Sequence, residues 1–304
     1  MKVIPLAFDS MGVRSMATLV ETGDTRILID PGVALGKVRS GFRPHPIEIK
    51  EKEKRWQTVR EQAEVCDILV VTHYHYDHHN PAEPGVYAGK VVFLKDPANN
   101  INYSQRMRAK EFIRRIKPVA KKVEIADGNE LRLRGTEVKF SSPLPHGTDT
   151  RLGYIIMVNI NERGERFLHT SDVEGPSLPE QERMICEYHP DILLCDGPMT
   201  HMLGNQYPES ALRSSETNLV NIVTECGTET LILDHHFLRD IEWRKRMPEL
   251  FKICETRGTG VMTAAEFAGE KNNLLEANRA QLYARYPVSR EATFKNPHDQ
   301  QDGE

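Results

Sequence analysis

Apolar and polar positions along the 304 residues change period repeatedly, and the changes mark out elements. Residues 3–8, 16–22 and 25–30 read as strands, with Gly23-Asp24 as a hairpin signal between the last two. The intervening 9–15 is a polar, glycine-bearing loop. Residues 47–66 are charge-rich, with Ile47, Trp56, Val59 and Ala63 at helical spacing, so an amphipathic helix is expected there. It leads into Asp67-Ile68-Leu69-Val70-Val71-Thr72, a β-branched run that reads as a buried strand. Further strands are expected at 91–94, 123–126, 130–134, 137–141, 152–160, 165–170, 191–195 and 230–233, and helices at 104–116, 179–189, 208–226, 241–257 and 272–286. Residues 262–267 read as a connector, either irregular or helical, and the polar stretch 287–304 as a frayed tail. No repeat or linker divides 1–304, so one domain is expected. Strands and helices alternate twice over, which suits two mixed sheets packed together with helices outside.

The buried strand ends at Thr72-His73-Tyr74-His75-Tyr76-Asp77-His78-His79. Strand ends are where open α/β sheets place their chemistry. His73 and His75 are two apart and lean to the same side of an extended segment. A loop that curls back brings Asp77 and His78 to a second point close by. Imidazole nitrogen with carboxylate oxygen suits zinc, iron or manganese and needs no thiolate. Burying these groups together without a cation would be costly.

Composition adds limits. Apolar residues make up 39% and charged residues 28%, as in soluble globular proteins, and the net charge of −4 disfavours a broad nucleic-acid-binding face. The first eight residues are too short for a signal-peptide core, and no apolar run could span a bilayer. Cys66, Cys186, Cys195, Cys226 and Cys254 form no Cys-x-x-Cys pair and read as reduced core residues. A cytoplasmic location follows as the expectation, with a homo-oligomer compatible and no membrane partner.

The His-x-His-x-Asp-His run resembles the signature of metallo-β-lactamase-fold metallohydrolases. Residues 9–16 and 196–204 resemble a largely archaeal, UPF0282-type branch of that superfamily, which supplies no substrate. The resemblance implies an α/β (α+β) chain folded as a four-layer αββα sandwich of two mixed sheets. It also implies two divalent metal ions at one edge, zinc first, with manganese or iron as alternatives. One ion would take His73, His75 and, from Pro-His-Gly at 145–147, His146. The other would take Asp77, His78 and a histidine after the late strand. Only one of His235 and His236 is expected to ligate, because neighbours on a strand point apart. A Leu-Ile-Leu-x-His pattern favours His235, and the two could be exchanged. Asp172, in the strand-end Ser-Asp, would bridge. Asp30, before Pro31-Gly32, would orient a liganding histidine from behind.

The function implied is metal-dependent hydrolysis of a small or flexible phosphodiester, ester or lactone, with Asp77 or His236 moving the proton. The short stretch between Asp172 and His235 leaves no room for the inserted domain of the RNA-processing branch, so nucleic acid is not the favoured partner. A mononuclear iron dioxygenase of the same fold is the alternative enzyme, and an inert metal-stabilised scaffold the third reading. Ser10, Arg14, Ser15 and His201 are candidate substrate contacts. The helix at 104–116, with Arg106, Arg108, Lys110, Arg114 and Arg115, is either a solvated face or a phosphate-attracting rim.

Overall fold

The structure, a computed structural model, describes residues 1–288. The expected tail lies outside the described residues from 289 on. Strands β1 (Lys2–Phe8), β2 (Met16–Glu21), β3 (Arg26–Ile29), β4 (Ile68–Val71), β5 (Val91–Leu94) and β6 (Lys122–Ile125) pair in chain order. The first two pairings are antiparallel, and from β3 to β6 they are parallel. Strands β7 (Glu130–Arg132), β8 (Thr136–Phe140), β11 (Val158–Glu162), β12 (Glu165–His169), β13 (Ile192–Asp196), β14 (Thr230–Asp234) and β15 (Gly260–Met262) form a second mixed sheet, in the order β15-β14-β13-β12-β11-β8-β7. A small ribbon of β9 (Leu144–Pro145) and β10 (Tyr154–Ile155) stands apart, so the expected strand at 152–160 is broken into β10 and β11.

Strand alternation sorts the apolar side chains into three layers. Ile27, Ile29, Ile68 and Val70 of the first sheet meet Val158, Ile160, Leu194 and Ile232 of the second in a shared central core. Leu28, Leu69 and Val71 face the other way, against Val59 and Ala63 of helix α1 (Pro46–Glu64) and Ala109 and Phe112 of α2 (Tyr103–Ile116). Leu193, Leu231 and Leu233 pack on Ile185 of α3 (Pro179–Tyr188), Leu219 and Ile222 of α4 (Glu209–Glu225), and Leu250 of α5 (Pro248–Arg257). The architecture is therefore the four-layer αββα sandwich. Strand β4 is buried on both faces, so truncating one of its large aliphatic residues to Ala would cost about 2–5 kcal/mol.

Local chemistry sets the helix starts. His45 caps α1: its Nδ1 accepts from the Ile47 amide at 3.2 Å, the Glu48 carboxylate accepts from the His45 amide at 2.7 Å, and Pro46 opens the first turn. Asn102 caps α2 by accepting from the Gln105 amide at 2.8 Å.

Two expected helices need correction. The helix expected at 241–257 is interrupted: residues 243–245 make a short 3-10 turn and α5 starts only at Pro248, which cannot donate an amide inside a helix. The helix expected at 272–286 shrinks to α7 (Arg279–Arg285), because Asn273 donates its amide to the Ser10 carbonyl at 2.7 Å and so ties the segment to the first loop. The connector at 262–267 is helical in part, as its alternative reading allowed: it contains the one-turn α6 (Ala264–Phe267), capped by Thr263. Among the cysteines, Cys66, Cys195 and Cys254 are free and buried as expected. Cys186 and Cys226 instead form a disulfide that joins α3 to the end of α4. Among the described residues no helix is long and apolar enough to cross a membrane.

Candidate metal centre

Parallel strands carry their C-terminal ends to a common edge, and there the two sheets deliver their polar residues to one place. Asp30 follows β3, His73 follows β4, Asp172 follows β12, Asp196 ends β13 and His235 follows β14. Three of these exits turn through a left-handed residue that is not glycine: Asp30 (φ 51°), Ser171 (φ 58°) and His235 (φ 57°). Such backbone is strained and persists only where its surroundings fix it. Gly32 lets the turn after Asp30 press against the histidine loop, since a Cβ there would strike the His78 and His79 backbone.

Asp172 is the centre of the arrangement. Its Oδ2 faces His73 Nε2 at 3.4 Å and His146 Nε2 at 3.3 Å, and His75 Nδ1 lies 3.2 Å from that His146 nitrogen. Its Oδ1 faces His78 Nε2 at 3.0 Å and His235 Nε2 at 3.5 Å. Asp77 completes this second group, 3.9 Å from His78 Nε2 and 3.7 Å from His235 Nε2. The sequence-expected residues His73, His75, Asp77, His78, His146, Asp172 and His235 thus converge. Within this constellation, His73, His75, His146 and Asp172 form one set of atoms close enough to hold an ion, and Asp77, His78 and His235 form another.

Four of the imidazoles are oriented from behind by carboxylates. Asp30 Oδ2 accepts from His78 Nδ1 at 2.8 Å and from Thr72 Oγ1 at 2.6 Å. Asp9 Oδ2 accepts from His235 Nδ1 at 2.7 Å, and Asp196 accepts from His236 Nδ1 at 2.9 Å. Because a carboxylate only accepts, these contacts keep a proton on Nδ1, so Nε2 of His78 and His235 is the nitrogen left to face Asp172 and to take an ion. Glu174 stands 3.5 Å behind His146 Nδ1 and reaches it because the facing residue, Gly147, has no Cβ.

The electrostatics call for positive charge. Burial pulls His78, His146 and His235 down, but the carboxylates of Asp172 and of Asp30, Glu174 or Asp9 outweigh it. They lift His146 and His235 to about 10 and His78 well above its ordinary value. Burial dominates at His73, held at about 4, and at His75 and His236, held well below their usual range. At Asp77 and Asp172 burial pushes upward, but His78 and His235 prevail, leaving Asp77 at about 2 and Asp172 well below a normal carboxylate. Five buried atoms here have no hydrogen-bond partner among the described residues: His73 Nε2, His78 Nε2, His146 Nδ1, Asp172 Oδ1 and Glu174 Oε1. Orphaned donors and acceptors of this kind are rare in finished cores. Three of them are the nitrogens and the oxygen that face one another across Asp172. Borderline-soft divalent ions fit that donor set.

The expected substrate contacts divide. Arg14 lines the cavity above the site, with its guanidinium held by Glu276 at 2.7 and 2.8 Å. Ser10 is absent from the cavity lining: it is buried, its amide donates to Asp234 and its Oγ accepts from the Ala265 amide. Ser15 is likewise internal, donating to the Gly32 carbonyl at 2.6 Å. His201 is absent from the cavity lining and sits near Arg39 and Arg239. Helix α2 contributes Arg108 to the cavity wall, where it lies over the Tyr76 ring. Sequence reasoning missed Asp9, Glu174, Asp196 and Arg239. Asp9 and Asp196 carried a usable signal, since each lies at the end of a strand as Asp30 does.

Comparison with known proteins agrees with the fold. A family model described as "Beta-lactamase superfamily domain" matches residues 25–236. A UPF0282 protein of Korarchaeum cryptofilum is 50% identical over 95% of this chain and 96% of its own length. One from Metallosphaera sedula is 43% identical over 93% of both. Among solved structures, isothiocyanate hydrolase from Delia radicum gut bacteria superposes with a TM-score of 0.52 at 15% identity, over 82% of this chain and 94% of that one. At that identity the likeness speaks for the fold alone. By sequence match, layer order and the histidine run, the chain belongs to the metallo-β-lactamase superfamily, together with the archaeal UPF0282 proteins.

Proposed function

We propose that this chain is a hydrolase that uses two divalent cations, zinc first among them, on a small or flexible anionic ester, with phosphodiesters ahead of carboxylic esters and lactones. The observation that carries the reading is the division of Asp172, whose two oxygens address two separate groups of imidazoles. His73, His75 and His146 would hold one ion, Asp77, His78 and His235 the other, and Asp172 both. Such a pair supplies a water of lowered pKa and neutralises charge that develops on the reacting group.

The chain's own residues do the rest. Asp30, Asp9 and Glu174 fix imidazole orientation, so the donor atoms are placed before substrate arrives. His236 lines the cavity and is anchored to Asp196 through Nδ1, which leaves Nε2 to take up or return a proton. Burial and the neighbouring Arg239 and His235 keep that ring neutral, the state a base requires. Asp77, on the cavity floor, is the other candidate for moving the proton. The cavity, about 740 Å³, has Arg14, Lys37, Arg108 and Arg151 on its walls and the carboxylates of Asp77, Asp172 and Glu174 on its floor. Basic walls around a metal-ligating floor favour an anionic substrate over a neutral one.

Metal analysis with an activity panel tests this. Two zinc or manganese ions per chain, with hydrolysis of bis(p-nitrophenyl) phosphate faster than that of a neutral aryl ester, is the expected result. One iron with oxygen uptake would transfer the chain to the dioxygenase reading. Full metal loading with no turnover of any ester would leave a scaffold.

A further inference from the structure

Arg239 is a fully buried arginine inside the second group of ligands. Its Nε donates to Asp9 Oδ1 at 2.8 Å, while the other oxygen of Asp9 holds His235 Nδ1. Its Nη2 lies 3.4 Å from His235 Nε2 and 3.9 Å from Asp77 Oδ2. A guanidinium is always charged and only donates. Asp9 holds the Nδ1 side of the His235 ring, so Nε2 is the atom left for an ion, and the Arg239 guanidinium stands at that atom. The first group differs: the Glu174 carboxylate stands 3.5 Å behind His146 Nδ1 and favours a cation, whereas the guanidinium on that side, Arg108, lies over the Tyr76 ring on the cavity wall, where it also bears on His75.

From this contrast we infer that Arg239 competes with the second ion: the site of His73, His75, His146 and Asp172 fills first, and the site of Asp77, His78 and His235 fills against the guanidinium. The inference rests on the two-ion reading of the centre and adds an order of filling to it. While the second position lacks an ion, Arg239 supplies positive charge beside Asp77 and Asp9 and stands in the approach to His235 Nε2. A second cation must share Asp77 and His235 with a fixed charge that does not leave. It is therefore held more loosely, and the chain passes through a one-ion form at limiting metal. Neutralising changes behind metal ligands shift affinity by roughly 10–100-fold, which sets the expected scale.

The test is calorimetric titration of the metal-free full chain with zinc. The wild type should bind in two steps separated by at least about tenfold. Asp77→Ala should keep the tight step and lose the weak one, and His146→Ala should lose the tight step. Arg239→Met should tighten the second step toward the first. Since Arg239→Met leaves Asp9 without its partner, the double variant Asp9→Asn/Arg239→Met, which keeps an acceptor for His235 Nδ1, serves if the single variant unfolds. Two equal steps in the wild type, or a tight step lost in Asp77→Ala, would overturn the order of filling while leaving the two-ion centre intact. Unchanged second-step affinity in both Arg239 variants would remove the role of the guanidinium. Absence of any zinc binding would instead defeat the metal reading itself.

Discussion

Two buried polar clusters in this molecule solve the same problem in opposite ways. Arg279 and Glu48 are both fully buried, and their bonds close on each other: Nε and Nη2 of Arg279 donate to the Glu48 carboxylate at 2.8–3.1 Å, and Nη1 donates to the Gly36 carbonyl at 2.9 Å. That cluster is complete without anything added. It ties helix α1, the loop after β3 and the last helix together. In the cluster around Asp172, His73, His78, His146 and His235 are buried with it, yet His73 Nε2, His78 Nε2 and Asp172 Oδ1 have no hydrogen-bond partner among the described residues. Burial with satisfied bonds marks architecture, whereas burial with unsatisfied bonds aimed at a common point marks a place for a ligand.

The comparison can be broken at either cluster. The largest expected effect is on turnover: His75→Ala should reduce hydrolysis to the buffer background, while circular dichroism and the thermal midpoint show an intact fold. Retained activity would remove His75 from the site. Next, Arg279→Met should lower stability by about 3–5 kcal/mol, because it strands a buried carboxylate. The same variant should still gain stability when zinc is added, by about 2.7 kcal/mol at a hundredfold excess over the dissociation constant. Asp172→Asn should lose that zinc-dependent gain. If thermal melts show zinc stabilising both variants equally, the two clusters do not differ as described.

A smaller effect is expected at Asp30. Asp30→Asn keeps an acceptor but removes the charge behind His78, and should weaken metal binding by roughly 10–100-fold in a chelator competition assay. Smallest is Glu276→Gln, beside Arg14. Burial raises the Glu276 carboxyl, but Arg14, with Arg239 and Arg279 further off, carries it far below the ordinary range. A depressed carboxylate stabilises the fold above its unfolded-state pKa, and this contribution is lost as pH falls through the folded value. The wild type should therefore exceed Glu276→Gln by roughly 1–3 kcal/mol at pH 7. In denaturant melts that margin should shrink as pH falls below the unfolded carboxylate range. A margin that stays constant on acidification would contradict the assignment.

What the sequence made legible was local. The buried strand before His73 and the spacing of His73, His75, Asp77 and His78 lie within a dozen residues, so period and chemistry could be read together. His146, Asp172 and His235 were placed by resemblance, since their approach depends on how two sheets stack. Asp9 and His235 are 226 positions apart and meet only because β1 and β14 end at the same edge. Arg239 was illegible for the same reason, and because an arginine in a polar stretch reads as solvated. The Cys186–Cys226 bond was missed because its partners sit on different helices, with no short spacing to betray them. The interrupted segment 241–257 shows local pattern losing to context: apolar spacing favoured one helix, but Asp240 accepts from the Glu242 amide and from Arg246 Nε and holds a turn ahead of Pro248.

The central claim is that Asp172 stands between two ions. Crystals grown with zinc and measured at its absorption edge test this most directly. The account predicts two anomalous peaks flanking the Asp172 carboxylate, one beside His73, His75 and His146 and one beside Asp77, His78 and His235. An anomalous map with no peak at Asp172, or with zinc bound only elsewhere on the chain, would contradict it.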